Sequence, residues 1–367
     1  MKKSPLAIAI KTTSVLAIAA LSSQAFAAPD LYGQIRLSAL AVDKTDTIND
    51  VATKTSARPD LSSGNSRIGI KGTEKLTDNT DLEYKLEYKV DVAENTGGNF
   101  SARHGYIALN NKQYGRLLVG RTISQDDYLS VSPAWWRNVG IGPVAGHDAT
   151  WVNNSILYTT PKLNNGTTTA FIQYGMDEGS GAAGKGSRSF STFKNNKETS
   201  LDRDFVIGGV QYAKDKVALN AAYTHAGKDL KSIRGSAEYK ANDRLTVYGL
   251  AQLSDYNSNN DELAVSGGAS YKINAPITAW AEAYHTDNYK GYADGKASGF
   301  NIGAQYDINK SLLAFASVGY AQDKYWEWDK KPEEIVVKNK IEKKTIETFN
   351  KKENTSKGIE VGMVYRF

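Results

Sequence analysis

Asp81-Leu82-Glu83-Tyr84-Lys85-Leu86-Glu87-Tyr88-Lys89-Val90-Asp91-Val92 alternates polar and apolar residues without a break. Successive side chains of an extended strand point to opposite faces. One face of this segment is therefore apolar and the other charged, whereas a helix would scatter both classes around its axis. The same period-2 rhythm recurs along most of the chain, in segments close to the ~9–11 residues that a tilted strand needs to cross a membrane. It predicts strands over 30–41, 65–73, 81–92, 101–110, 114–121, 151–160, 167–176, 203–213, 216–226, 231–240, 244–254, 262–273, 276–286, 298–308, 311–322 and 357–367.

The segments between strands alternate in length. Ala241-Asn242-Asp243 and Asn309-Lys310 are short, whereas Val42–Gly64, Thr122–Thr150, Asp177–Asp202 and Asp323–Lys357 are long. Short turns at one end and long loops at the other are the pattern of a transmembrane barrel. The expected fold is therefore all-β: a transmembrane antiparallel β-barrel of about sixteen strands, a size that leaves an aqueous interior. The 323–356 stretch, rich in Lys and Glu, reads as a solvated loop, with a small hairpin around Ile335-Val336-Val337 as the alternative.

Ahead of the first strand, Lys2, Lys3 and Lys11 precede an apolar run from Val15 to Leu21, and Gln24-Ala25-Phe26-Ala27-Ala28 follows. A basic region, a short apolar region and an A-x-A site make a secretory signal peptide. Residues 1–27 are expected to be removed and 28–367 to form the barrel. The formal charge of +5 includes the three leader lysines, so the remaining 340 residues carry +2. That balance gives no electrostatic footprint for nucleic acid. The mean hydropathy of −0.47 resembles a soluble protein, but a polar lumen offsets a lipid-facing surface in such an average. With no cysteine, neither a disulfide framework nor a thiolate metal site is possible. Four histidines (His104, His147, His225 and His285) occur without an H-E-x-x-H or G-x-S-x-G motif, so nothing points to catalysis, a metal or a cofactor.

Several stretches resemble the general, trimeric porins of Gram-negative outer membranes, closest to the neisserial and betaproteobacterial branch. They are Leu31-Tyr32-Gly33-Gln34-Ile35-Arg36, Ser66-Arg67-Ile68-Gly69-Ile70-Lys71-Gly72-Thr73-Glu74, Tyr114–Arg121, Val152–Tyr158 and Ile359–Phe367. The resemblance implies an outer-membrane channel for ions and small hydrophilic solutes, a homotrimer in contact with lipid and lipopolysaccharide, and a third loop folded into the barrel. A substrate-preferring channel is the alternative within the class; a barrel adhesin or enzyme is the alternative outside it. Phe367, closing an alternating strand, looks like the signal read by the barrel insertion machinery.

Parity selects the lumen residues. If Leu31, Ile35 and Leu37 face outward, Tyr32, Gln34, Arg36 and Ser38 face inward; if Ile68 and Ile70 face outward, Arg67 and Lys71 face inward. Taking Tyr106 as outward places Arg103 inward and His104 outward. Arg36, Arg67, Lys71 and Arg103 form a candidate basic wall, and the resemblance places constriction arginines at Arg67 and Arg103. These cations could instead be wetted lumen residues paired with Glu83 or Glu87. The resemblance assigns the opposing carboxylates to the third loop, 122–150, where Asp126, Asp127 and Asp148 are available beside Trp135, Trp136, Arg137 and His147. On the strand leaving that loop, lumen positions where neisserial-type relatives often carry arginines read as Trp151 and Leu157.

Overall fold

The computed structural model describes residues 28–367 apart from 57, 94–98, 133–138, 140–143, 148–150, 177–190, 193–198, 201–203, 259 and 338–339. Among the described residues, sixteen long strands form one closed antiparallel sheet. In chain order they are β1 (Asp30–Ile48), β2 (Arg67–Lys75), β3 (Thr80–Val90), β4 (Phe100–Asn111), β5 (Gly115–Ile123), β6 (Trp151–Thr159), β7 (Thr168–Gly175) and β8 (Phe205–Lys214). There follow β9 (Val217–Ala226), β10 (Leu230–Lys240), β11 (Leu245–Asp255), β12 (Glu262–Asn274), β13 (Ile277–Asp287), β14 (Lys296–Asp307), β15 (Leu312–Val337) and β16 (Lys340–Arg366). Each strand pairs with its chain neighbours, and β1 closes the ring by pairing with both β2 and β16. Closure satisfies every backbone group that would otherwise meet lipid unpaired.

The outward face is the apolar half of the alternation. Leu31, Ile35, Leu37, Leu86, Tyr88, Ile107 and Leu109 are all exposed, as are Ile359, Val361, Met363 and Tyr365. In a protein with one buried core these residues would be inside; here the outside is the apolar solvent. The inward face is polar, with Gln34, Arg36, Ser38, Glu87 and Glu360 buried.

Two expected long loops are partly strand. β1 continues to Ile48 and turns back through Asn49 and Asp50, both with positive φ, into Val51–Thr55. Two consecutive left-handed residues make the type I′ turn whose twist suits a hairpin. The 323–356 stretch is no loop: β15 and β16 stay paired from Leu312↔Tyr365 to Val337↔Lys340. Outside a membrane both faces of a ribbon meet water, so the apolar–polar alternation that marks a spanning strand fades there and the sequence rhythm no longer reports it.

Bulges break parity at two places near the lumen site, the second spanning Asn154 of β6. The β3–β4 register shifts between Leu86 and Tyr88, and the β5–β6 register between Gly120 and Thr122. In β6, Asn154 adopts φ 44°. Gly120 has φ 135°, and a Cβ there would lie 2.3 Å from the Gly105 carbonyl oxygen, so this close approach requires glycine.

Candidate pore constriction

The basic wall is built around one carboxylate. Glu87 on β3 accepts a hydrogen bond from Arg103 Nε at 2.6 Å and another from the Tyr32 hydroxyl at 2.8 Å. Lys85 Nζ lies 3.5 Å and Arg67 Nε 3.6 Å from the same carboxylate. Three cations from β2, β3 and β4 thus converge on a single anion, leaving a local positive surplus. Arg103 is held from a second side by the ring of Trp151, 4.6 Å from its guanidinium carbon. Such stacking fixes the plane of a guanidinium while leaving its edge available to solutes.

Arg67 and Arg103 both face the lumen, but Arg103 does so for a different reason than simple alternation suggests. Tyr106 points inward, where its hydroxyl donates to Glu83 at 2.8 Å, and Ile107 and Leu109 take the outer face. Uninterrupted parity would then turn Arg103 outward. The β3–β4 bulge opposite Glu87 resets it inward. His104 is likewise inside rather than outward: its ring meets Trp151 at 4.8 Å, and Thr122 Oγ1 lies 3.3 Å from Nδ1.

Arg36 and Lys71 are not part of this convergence. Arg36 is 1% exposed and bonded to the buried Glu360 at 2.6 Å, so its charge is consumed in the β1–β16 seam. Gly64, with φ 48°, lies directly over it; a Cβ there would sit 2.8 Å from the Arg36 side chain. Lys71 is exposed, with its ammonium 5.2 Å from the Tyr32 ring, at the Asp30 end of the barrel. A second pair, Arg116 with Glu83 at 2.9 Å, lies farther along the same wall.

The third loop folds inward and is fastened to the inner wall from β9 to β14. Asp126 accepts from Thr224 Oγ1 of β9 at 3.2 Å and pairs with His147 Nε2 at 2.8 Å. Arg234 of β10 donates to the Asp126 carbonyl at 3.1 Å, and Gln252 of β11 to the His147 carbonyl at 2.8 Å. Glu262 of β12 accepts from the Gly146 amide at 2.9 Å. Ser132 donates to Glu282 of β13, and Asn301 of β14 donates to the Val139 carbonyl at 2.8 Å. Leu129, fully buried, completes an apolar lining with Leu118, Val152, Leu157, Phe171 and Ile207. Leu157 therefore serves as packing under the loop, whereas Trp151 stands beside the cations.

The loop carboxylates have different fates. Asp126 is 1% exposed, so it anchors the loop and is not presented to the passage. Burial alone would raise its carboxyl. The His147 hydrogen bond and the nearby His147 and Arg234 charges outweigh that and hold it well below the usual carboxylate range. Asp127 is half-buried beside Tyr128, and Tyr128 is half-exposed within electrostatic reach of Asp127, Arg116, Glu87 and Arg103. Asp148, Trp135, Trp136 and Arg137 lie outside the described residues, as does the 1–27 leader.

Arg234, Gln252 and Glu262 as loop anchors were not singled out from sequence, and Glu87 was named only as an alternative partner for the wall cations. The signal for Arg234 was present: Ile233 faces outward, so its neighbour must face inward. What alternation lacks is the distance across the barrel from Arg234 to Asp126.

The model of the Gram-negative porin family matches residues 12–325. The major outer membrane protein P.IB of Neisseria sicca is 26% identical over 344 residues, covering 85% of this chain and 94% of that protein. The anion-selective porin from Comamonas acidovorans superposes with a TM-score of 0.65 at 19% identity, over 93% of this chain and 99% of its own. The outer membrane channel DcaP of Acinetobacter baumannii gives 0.61 at 17% identity, over 94% and 99%. A family match spanning most of the strands, a closed sixteen-stranded barrel and a loop folded into its lumen lead to one conclusion: the chain belongs to the Gram-negative porin family, and it is an outer-membrane channel protein.

Proposed function

We propose that the passage between the basic wall and the anchored third loop conducts ions and small hydrophilic solutes by passive diffusion, with Arg67 and Arg103 setting its charge preference. The convergence of Arg67, Lys85 and Arg103 on the single carboxylate of Glu87 carries this reading. In a narrow, partly desolvated channel, charges act far more strongly than in bulk water, and an excess of one sign biases which ions enter. Asp127 supplies the opposing charge from the loop. Such a transverse field orients dipolar solutes without making or breaking bonds, so no catalytic chemistry is assigned. A preference for particular solutes, rather than for charge alone, is the second reading, favoured by Trp151 standing where related channels carry arginine.

Replacing Arg67 and Arg103 together by glutamine leaves Lys85 and Glu87 as a balanced pair. Selectivity should then move toward cations while conductance and assembly persist. Reversal potentials in a planar bilayer across a salt gradient read this, at low ionic strength where screening is weak. Wild-type selectivity in the double variant would reduce these arginines to ordinary wetted lumen residues.

The protein is further proposed to act as a homotrimer among outer-membrane lipid and lipopolysaccharide. The OmpT protein of Vibrio cholerae, whose trimer form superposes with a TM-score of 0.60 at 14% identity, shares the fold. Mass measurement in mild detergent tests the assembly, and a purely monomeric species counts against it. Residues 1–27 are proposed to be removed on export, with Phe367 reporting the closing strand to the insertion machinery. N-terminal sequencing of outer-membrane material should begin at Ala28; recovery of Met1 from that fraction refutes the export reading.

A further inference from the structure

We infer that the lumen wall above the constriction carries a docking recess for a small zwitterion, an amino acid or short peptide with free ends. A cavity of about 510 Å³ opens where the long-loop ends of β1, β13, β14, β15 and β16 meet. That volume is in the range of small-molecule sites. On β1 the recess uses Lys44 and Asp46, whereas Arg67 pairs with Gln34 toward the opposite end of the strand. The recess is therefore distinct from the basic wall and lies on the way to it.

Its lining carries two cations and two anions: Lys44 and Lys352, Asp46 and Asp323. Asp323 is fixed by Asn354, whose Nδ2 donates at 2.9 Å, and lies within electrostatic reach of both Asp46 and Lys290. Tyr289 and Tyr325, also in the lining, meet edge to face at 6.1 Å, and the Lys290 ammonium sits 3.9 Å from the Tyr325 ring centre. Val144 of the third loop packs against this aromatic cluster, joining the recess to the loop.

The balance of charge decides the ligand class. A simple anion meets Asp46 and Asp323 as well as Lys44 and Lys352, and a simple cation meets the reverse. A solute with a carboxylate and an ammonium held apart can satisfy both. A neutral sugar would need open aromatic faces to stack upon; Tyr284 and Tyr289 are 5% and 3% exposed, and the face of Tyr325 is taken up by the Lys290 ammonium. Complementary charges at the two ends of the solute would also fix its orientation in the recess.

The inference takes its route of entry from the channel reading, but binding is measured independently. Saturation-transfer NMR on the detergent-solubilised porin at low salt would use glycyl-leucine, N-acetyl-glycyl-leucine and maltose as probes. Glycyl-leucine should receive saturation, the acetylated form should bind about tenfold more weakly, and maltose should receive little. The Asp46→Asn/Asp323→Asn variant should weaken glycyl-leucine by a similar factor. Equal transfer to maltose or to the acetylated peptide overturns the proposal, as does undiminished binding to the variant. Bilayer conductance of the same preparation tests the channel separately. A conducting porin without peptide binding defeats only the recess, and peptide binding without conductance defeats only the channel reading.

Discussion

The Asp126→Ala porin should conduct more current per channel and admit larger solutes than its parent. Asp126 connects the start of the third loop to its return at His147 and to β9, and all these groups are buried. Removing the carboxylate leaves its buried partners, His147 Nε2 and the Thr224 hydroxyl, without this acceptor, at a cost of about 1–3 kcal/mol. Here the barrel need not unfold to relieve the cost; the loop can leave the wall, where His147 and Arg234 regain water. Arg234→Ala should act in the same direction, since it removes the donor to the Asp126 carbonyl. Liposome swelling with graded sugars and single-channel conductance measure the effect. Unchanged size limits in both variants would show that the remaining contacts, such as Glu262 to Gly146, hold the loop alone.

The same anchor has a defined acid response. Asp126 is depressed in the folded protein, so its contribution is complete above the ordinary carboxylate pKa of ~3.9 and is lost only as pH falls through its lower folded value. Loss of this carboxylate therefore should not open the wild-type channel until well below that ordinary range.

Glu360→Gln should give the largest loss of barrel stability. Arg36 and Glu360 are 1% and 0% exposed and lie on the first and last strands, at the seam that closes the ring. The substitution leaves a buried guanidinium without its counter-charge, at a cost of about 3–5 kcal/mol. Ser66 ties the same site to the incoming chain before β2, with its hydroxyl accepting from the Arg36 amide at 2.8 Å. The temperature at which the folded barrel loses its compact electrophoretic mobility reads the loss. Replacing both residues by methionine should recover much of it, because a well-packed apolar pair avoids the desolvation of two charges. If the single and double variants lose equal stability, shape rather than charge governs the seam.

Most of the fold was legible because the membrane imposes a strict period on a spanning strand: Leu82, Tyr84 and Leu86 must face one way when Glu83, Lys85 and Glu87 face the other. The period fails where its physical cause stops. Beyond Lys324 the β15–β16 ribbon runs on past the strand beside it, and its residues carry no alternation to read. It also fails at bulges, as Arg103 shows: an inward position follows from the register shift beside Glu87, not from an outward Tyr106. Lumen polarity could be read for Arg36 and Arg67 alike, yet one is spent on Glu360 and the other shares Glu87. Pairing depends on which strand lies opposite, and that information is held by the closed ring as a whole. The buried role of Asp126 was hidden for the same reason.

The extended β15–β16 ribbon poses a problem of colloidal order. β14 accompanies β15 only as far as Lys324, and β1 accompanies β16 only from Lys352 onward. Among the described residues, the outer part of the hairpin thus has two open edges, each a row of backbone donors and acceptors able to template another strand. In a membrane packed with copies of one channel, such edges invite sheet growth from molecule to molecule. The ribbon's composition opposes this. Pro332 carries no backbone donor, and charged residues crowd both arms, with Glu333 and Glu334 in register with Lys344 and Lys343. The charged sequence that disguises these strands as a loop is thus of the kind that disfavours edge-to-edge growth between neighbouring barrels.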